Sequence, residues 1–449
     1  MLMRFSISNF MSFEKEQEFS MFPGRVEKFK ERVISLEDQN VLKFCALYGA
    51  NAAGKSNLVN AIDIGKNIIV KGIAALQTKD MYCRNREINK DTDSKFEYEI
   101  NIGEKRYAYG FEVNLFKQIV KKEWLYQLKN GKEIALFERV AETSQYYFEE
   151  NLFSKSDDIN TFKFYIEDAN RIEDALLLRE LVRRKLDSNV FGIFLELYLW
   201  FRVQLVVIYP DTVLGESYWR FNEENDNLVQ LLQYFDTGIS KYELRQVSEE
   251  VFRTYFESED EYNELFNMPE LNLDLKNVSR KGILRTRKNL FEIETNKNGD
   301  KKIYKLLFKH GHCKEIFEYG EESDGTRRLI ELMDIIINAQ SNKTYIIDEL
   351  DRSLHPQMTR KFVETFFSLS KDNKTQLIIT THESNLMDLN ILRRDEIWFA
   401  ERDNDNSTKL FPLEMFKDRY DRVISKAYLS GRYGAVPIFR DFEHCFCEE

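Results

Sequence analysis

Eight consecutive residues constrain this chain more than anything else in it. Gly49-Ala50-Asn51-Ala52-Ala53-Gly54-Lys55-Ser56 meets every fixed position of the pattern G-x-x-x-x-G-K-[ST]. That pattern works only between a buried strand and a helix. Both flanks read that way: 41–48 (VLKFCALY) is a short apolar run, and 56–70 carries Leu58, Ile62 and Ile69 at helical spacing. In such a turn the glycines let backbone N–H groups curl around phosphate oxygens. Lys55 then reaches the β- and γ-phosphates, Ser56 offers its hydroxyl to Mg²⁺, and the helix N-terminus adds positive potential. Gly49, Asn51, Gly54, Lys55, Ser56 and Asn57 are the candidate ATP-binding residues of this segment, and Ser56 is also a candidate metal ligand.

A phosphate loop needs carboxylates, and the chain supplies them late. The apolar run Thr344–Ile347 ends in Asp348-Glu349. At a strand end Asp348 can hold Mg²⁺ through water and Glu349 can polarise an attacking water. A second apolar run, 376–380, leads into Thr381-His382. From Gly325 onward helices alternate with the strands 344–347, 376–380 and 396–399, the alternation of a doubly wound α/β sheet.

The remaining texture predicts three parts. Residues 1–160 are β-rich around the phosphate loop, with alternating strands at 5–10, 96–102 and 107–113 and a hairpin at Asn130-Gly131. Residues 161–285 have helical spacing at 173–185, 227–234 and 242–256, without the heptads of a long coiled coil. Residues 286–449 return to strands, with a turn at Asn298-Gly299-Asp300, and then to the α/β alternation. At 449 residues, two to three domains of roughly 150 residues each, or one domain with a large insertion, are expected.

Composition removes several classes. The net charge of −11 (65 basic against 76 acidic residues) excludes a generally basic nucleic-acid coat, so nucleic-acid binding is expected to be weak and local. The basic run Lys276, Arg280, Lys281, Arg285, Arg287 and Lys288 is read as either a solvated loop or a contact for nucleic acid or an acidic partner. A 43 % apolar chain can bury a core. Five scattered cysteines, Cys45, Cys83, Cys313, Cys445 and Cys447, suit a reducing compartment. The N-terminus lacks the apolar core of a signal peptide, and the most apolar stretch, 190–209, carries Glu196 and Arg202; no membrane span and a cytoplasmic location are expected. His310-Gly311-His312-Cys313 reads as a strand and turn rather than a metal site, and Asp403-Asn404-Asp405 as a solvated turn.

In their order along the chain these segments resemble an ATP-binding-cassette-type ATPase of the SMC-like class, and within it the bacterial AAA15-type ATPases of anti-phage and abortive-infection systems. The resemblance rests on the phosphate loop, on Glu321-Glu322-Ser323-Asp324-Gly325-Thr326-Arg327-Arg328, on Asp348-Glu349-Leu350-Asp351, on Thr380-Thr381-His382, on the opening Ile7-Ser8-Asn9-Phe10-Met11-Ser12-Phe13 and on the closing Gly431-Arg432-Tyr433-Gly434-Ala435-Val436-Pro437. It covers about 1–140 and 286–449. It implies an ATPase head with an N-terminal β-rich layer and a helical insertion. It implies that Ser323, Asp324 and Gly325 form a signature that meets the γ-phosphate bound by a second copy, here SDGT rather than SGGQ. It further implies that Asp351 crosses the dimer interface and that His382 is the switch histidine. The lid glutamine of such ATPases has no distinctive context here; Gln77 and Gln118 are the candidates, with Gln118 preferred.

The resemblance implies a sensor or switch: ATP joins two copies, and a separately encoded effector, a nuclease or TOPRIM-like protein, is held or released in response to a phage-encoded trigger. A self-contained ATP-dependent nuclease is disfavoured, since 100 residues follow Glu349 (449 − 349) and no Asp-x-Asp strand cluster is seen. An ATPase subunit of a DNA-processing or repair complex, or an ATP-dependent nuclease, stays as the alternative, though a zinc hook is not expected with no Cys between Cys83 and Cys313. A transporter ATPase is disfavoured by the large insertion.

Overall fold

The computed structural model describes the chain apart from residues 38, 154, 185–187, 211–226, 257, 259–261, 263–279, 287, 297–299, 418–422 and 438–449, and apart from the side chains of 188–190, 227 and 280–282. Lys276, Arg287, the Asn298-Gly299 turn, Cys445 and Cys447 therefore lie outside the described residues, as do the side chains of Arg280 and Lys281. By its contacts the chain forms two compact units: Met1–Ile208 with Ser341–Leu350 and Ser370–Glu449, and Tyr209–Gln340 with Asp351–Leu369. The boundaries expected at 160 and 285 do not coincide with these.

The first unit holds two large sheets. One is antiparallel with seven strands: β1 (Leu2–Ser8), β2 (Gln17–Ser20), β6 (Ser94–Ile102), β7 (Lys105–Asn114), β8 (Ile119–Lys129), β9 (Lys132–Val140) and β10 (Gln145–Phe148), in the order β10-β9-β8-β7-β6-β1-β2. Asn130 (φ 51°) and Gly131 (φ 71°) make the two-residue β8–β9 turn that the Asn-Gly pair predicts. Phe5, Phe96, Tyr98, Tyr109 and Phe111 are fully buried. The Tyr98 hydroxyl donates to the Ile62 carbonyl (2.8 Å), fixing this sheet to the helix Lys55–Lys71.

The other sheet has six strands: β5 (Phe44–Tyr48), β11 (Leu205–Ile208), β17 (Thr344–Ile347), β18 (Gln376–Thr380), β19 (Ile397–Arg402) and β20 (Thr408–Pro412), ordered β11-β17-β18-β5-β19-β20. All neighbours are parallel except the β19–β20 pair. β5, β17 and β18 are buried along their whole length, which is why they read as unbroken apolar runs. The exception, Gln376, is fully buried and saturated. It accepts from Leu2 N (2.7 Å) and the Thr344 hydroxyl (3.0 Å), and its amide donates to the Leu2 (2.9 Å) and Leu42 (3.0 Å) carbonyls. A buried glutamine thus stitches β1 to the parallel sheet. A small hairpin, β3 (Val33–Ser35) with β4 (Asn40–Leu42), completes the unit's strands.

Helices Ser156–Asn170, Leu177–Arg183 and Ser188–Leu199 follow, and a π-turn, Trp200–Gln204, delivers the chain into β11. The stretch 190–209 is thus a helix and π-turn running into a strand that is buried at Leu205 and Ile208. A buried ion pair seats these helices. Glu123 accepts from Arg139 Nε (2.8 Å), the Tyr109 hydroxyl (2.8 Å) and the backbone N–H groups of Leu177 (2.7 Å) and Leu178 (3.0 Å). With that many donors the carboxylate's desolvation is offset.

The second unit carries β12 (Ile239–Val247), β13 (Arg280–Arg285), β14 (Leu290–Thr295), β15 (Lys301–His310) and β16 (Phe317–Glu318), ordered β12-β15-β14-β13 with β16 also on β15. Its helices include Asn227–Tyr234, Asp324–Ile337 and Pro356–Leu369. The segment 242–256, expected to be helical throughout, divides instead: 242–247 belong to strand β12, and only the short stretch Glu249–Arg253 is helix. β12 pairs with β15 in the register Tyr242↔Phe308 and Leu244↔Leu306. Cross-strand packing with a segment sixty residues away outweighs the local helical spacing. The 161–285 segment is therefore mixed rather than purely helical.

Candidate nucleotide site

Because β5, β18 and β17 are adjacent and parallel, their C-terminal ends lie on one edge of the sheet, where open α/β sheets bind ligands. β5 delivers the phosphate loop, β17 delivers Asp348-Glu349 and β18 delivers Thr381-His382. The register sets Ile347 opposite Ile379, and Thr380 opposite Leu47. Three segments spread over more than three hundred residues of sequence thus meet at one edge. This is the α/β architecture of a P-loop ATPase head, with the antiparallel sheet as its β-rich layer.

The loop itself is braced from both ends of the chain. Gly54 caps the helix Lys55–Lys71 with φ 104°, a left-handed conformation that suits glycine. A Cβ there would lie 2.1 Å from Thr408 Oγ1 and 2.9 Å from Ser12 Oγ. The Thr408 hydroxyl sits 2.7 Å from Ser12 Oγ and 2.9 Å from the Ala53 carbonyl oxygen. Asn57 donates its side-chain amide to Ser12 Oγ (2.7 Å), so that amide braces the opening segment rather than lining the loop. The buried Lys55 ammonium donates to the carbonyls of Gly49 (2.9 Å) and Ala50 (3.2 Å), threading the loop. Asn51 is exposed and Ser56 half-buried.

The carboxylate end is organised by Thr380. Its hydroxyl accepts from Glu349 N–H (2.8 Å) and donates to Asp348 Oδ1 (2.6 Å), while its carbonyl accepts from Leu350 N–H (3.0 Å). Asp348 is buried; Glu349 is half-buried and held at φ 49°, uncommon for a residue with a long side chain. His382 is exposed beyond the strand end. Hydroxyl and carboxylate oxygens, from Ser56 and Asp348, are the hard donors Mg²⁺ prefers.

Ser323, Asp324, Gly325 and Asp351 belong to the second unit. Ser323 is the N-cap of the helix Asp324–Ile337 and accepts from Thr326 N–H (3.1 Å). Ser323 and Asp324 are exposed, and Asp324 pairs with Arg327. A Cβ on Gly325 would come 2.9 Å from the Ser353 carbonyl oxygen, so the signature glycine permits the loop after Asp351 to pack directly on it.

One expectation changes. The Gln118 amide donates to the Ile73 (3.1 Å) and Leu76 (2.8 Å) carbonyls, so this glutamine braces the segment after the phosphate-loop helix. Gln77, within that segment, is exposed. Thr380, Ser12 and Thr408 carry site contacts that sequence reasoning did not assign; Thr380 and Ser12 sat inside quoted motifs, whereas nothing near Thr408 signals its role. Elsewhere, His310 Nε2 lies 2.7 Å from Glu322, and no group of three potential metal ligands occurs among the described residues. No helix among them is long and apolar enough to cross a membrane.

No curated protein matches this chain significantly. Similar solved structures include the SMC head bound to the C-winged helix domain of ScpA (14% identity, TM-score 0.44, covering 92% of this chain and 97% of that one). Others are the SMC head domain from Thermotoga maritima (12%, 0.35, 92% and 98%) and the SMC head with an extended coiled coil bound to the C-terminal domain of ScpA derived from Pyrococcus furiosus (13%, 0.38, 92% and 96%). The family model described as "AAA domain, putative AbiEii toxin, Type IV TA system" matches residues 44–388, from β5 to beyond His382. That span is more than half of the chain, and the chain belongs to this AAA-domain family of P-loop ATPases.

Proposed function

We propose that this chain binds and hydrolyses Mg-ATP and that two copies close around the nucleotide. The observation that carries the reading is the convergence of β5, β17 and β18 at one sheet edge. Lys55 and the loop N–H groups hold the β- and γ-phosphates. Ser56 and Asp348 would hold Mg²⁺, which supplies neutralisation of phosphate charge. Glu349 polarises the attacking water, and His382 stands by the γ-phosphate. Each site is completed by Ser323, Asp324, Gly325 and Asp351 of the second copy, whose helix N-terminus favours the anion.

In the cell this ATPase works as the sensor or switch subunit of a bacterial anti-phage system, gating a separately encoded nuclease or TOPRIM-like effector. The family description, with its AbiEii toxin and toxin–antitoxin terms, supports that context. The test of the chemistry is a pair of variants. Glu349→Gln keeps ATP binding and slows turnover at least ~10²-fold, whereas Lys55→Ala weakens binding itself. An undiminished ATPase rate in Glu349→Gln removes Glu349 from its role.

A further inference from the structure

We infer that Thr380 is a positioning residue of the ATPase centre, locking the metal-side carboxylate Asp348 and the catalytic candidate Glu349 to the strand that carries His382. The inference deepens the proposed function and rests on it.

The geometry is one of proton direction. A threonine hydroxyl has one proton. Here its oxygen already accepts from Glu349 N–H at 2.8 Å. The single proton is therefore directed at Asp348 Oδ1, 2.6 Å away, where the carboxylate must accept with a lone pair. The Thr380–Asp348 pair is buried, with Thr380 1% and Asp348 5% exposed, while Glu349 is half-buried.

The backbone of the same dipeptide ties both halves of the site together. The Thr380 carbonyl accepts from Leu350 N–H at 3.0 Å, and Thr381 N–H donates to Leu47 O at 3.1 Å, two residues before Gly49. One strand end thus grips the carboxylate turn on one side and the approach to the phosphate loop on the other. It also gives a physical reason for the left-handed Glu349: its N–H and that of Leu350 both face Thr380, which requires the chain to turn sharply after Asp348. A displacement of His382 at the tip of β18 is transmitted through Thr380 to Asp348 and Glu349. Switch position and metal-side geometry are then one coupled variable.

The experiment uses the full chain and measures steady-state ATPase against both ATP and Mg²⁺ for wild type, Thr380→Val and Thr380→Ser. Valine keeps the shape and removes the hydroxyl. Its kcat is expected to fall about 10- to 100-fold and its half-saturating Mg²⁺ to rise severalfold, with KM for ATP within about twofold, the size typical of lost outer-shell partners. Thr380→Ser, which keeps the hydroxyl, should return within about threefold of wild type. A Thr380→Val enzyme whose kcat and Mg²⁺ requirement match wild type overturns the inference. So does a serine variant as impaired as valine, since that outcome assigns the effect to the lost methyl group. If Thr380→Val shows no cooperative melting, Thr380→Cys, near in volume and a weaker donor, replaces it with the same expected direction. A wild-type chain without ATPase activity refutes the proposed function instead, and the Mg²⁺ dependence of nucleotide affinity in the same variants then decides the Thr380 inference.

Discussion

Replacing Gly54 with alanine probes the phosphate loop with a single added methyl. The backbone at Gly54 has φ 104°, and the new Cβ would lie 2.1 Å from Thr408 Oγ1, 2.8 Å from its Cγ2 and 2.9 Å from Ser12 Oγ. The left-handed backbone costs an alanine about 1–2 kcal/mol. Overpacking in a closed site costs about 1–3 kcal/mol more. Moving Thr408 aside to relieve it gives up its contacts with Ser12 and Ala53, each worth about 1 kcal/mol, so relief and overlap are alternatives and do not add. The total is about 2–5 kcal/mol. The loop can shed that strain by leaving its phosphate-binding shape while β5 and the following helix stay packed, so the penalty falls on nucleotide affinity. At 1.4 kcal/mol per tenfold, ATP binding weakens by roughly 30- to 3,000-fold. Titration with a fluorescent ATP analogue in Mg²⁺ measures this, with a melting scan alongside. Adding Thr408→Ala to Gly54→Ala removes the two closest contacts but not the dihedral strain, so affinity should recover in part. Wild-type affinity in Gly54→Ala, or no recovery in the double variant, refutes the reasoning.

Gln376→Leu strands the Leu2 N–H and the Leu2 and Leu42 carbonyls between the two sheets, and should lower unfolding stability in urea by about 3 kcal/mol or more. Glu396 is fully buried, and desolvation raises its carboxyl to about 7 despite Arg32 and Arg393, with Asp395 adding to the rise. A folded pKa above the ordinary 4.5 means its contribution is fully present below pH 4.5 and is lost as pH rises to 7. Glu396→Gln should therefore gain stability relative to wild type by on the order of 3 kcal/mol between those pH values and nothing further above them, read from denaturation at several pH values; a pH-independent difference contradicts the assignment. Ser323→Asp keeps an N-cap for the helix Asp324–Ile337 but sets a negative charge where the second copy's triphosphate is to dock, so it should abolish ATP-driven association while leaving Tm and single-copy ATP binding near wild type.

The parts of the site legible in the sequence are those whose chemistry is local. Eight contiguous residues spell the phosphate loop, and β5, β17 and β18 announce themselves because strands buried on both faces are apolar throughout. What escaped notice depends on distant partners. Thr408 reaches Ser12 across 396 residues of sequence, and no spacing rule links them. Gln118 reads as available for a lid because a sequence does not show that its amide is spent on the Ile73 and Leu76 carbonyls. The apolar positions of β12 fit a helix as well as a strand, and only pairing with β15 decides. Gln376, polar within a buried strand, shows the reverse case: a residue that breaks the apolar pattern and is explained entirely by four partners from three other strands.

In the proposed composite ATP site the phosphate loop and carboxylates come from one copy and the signature from another. Multi-angle light scattering of Glu349→Gln at micromolar concentration, with and without saturating Mg-ATP, tests it most directly. A dimer, or a multiple of one, is expected to form with ATP and to be lost when Ser323→Asp is added. A strict monomer under saturating Mg-ATP, from protein that demonstrably binds the nucleotide, would contradict it.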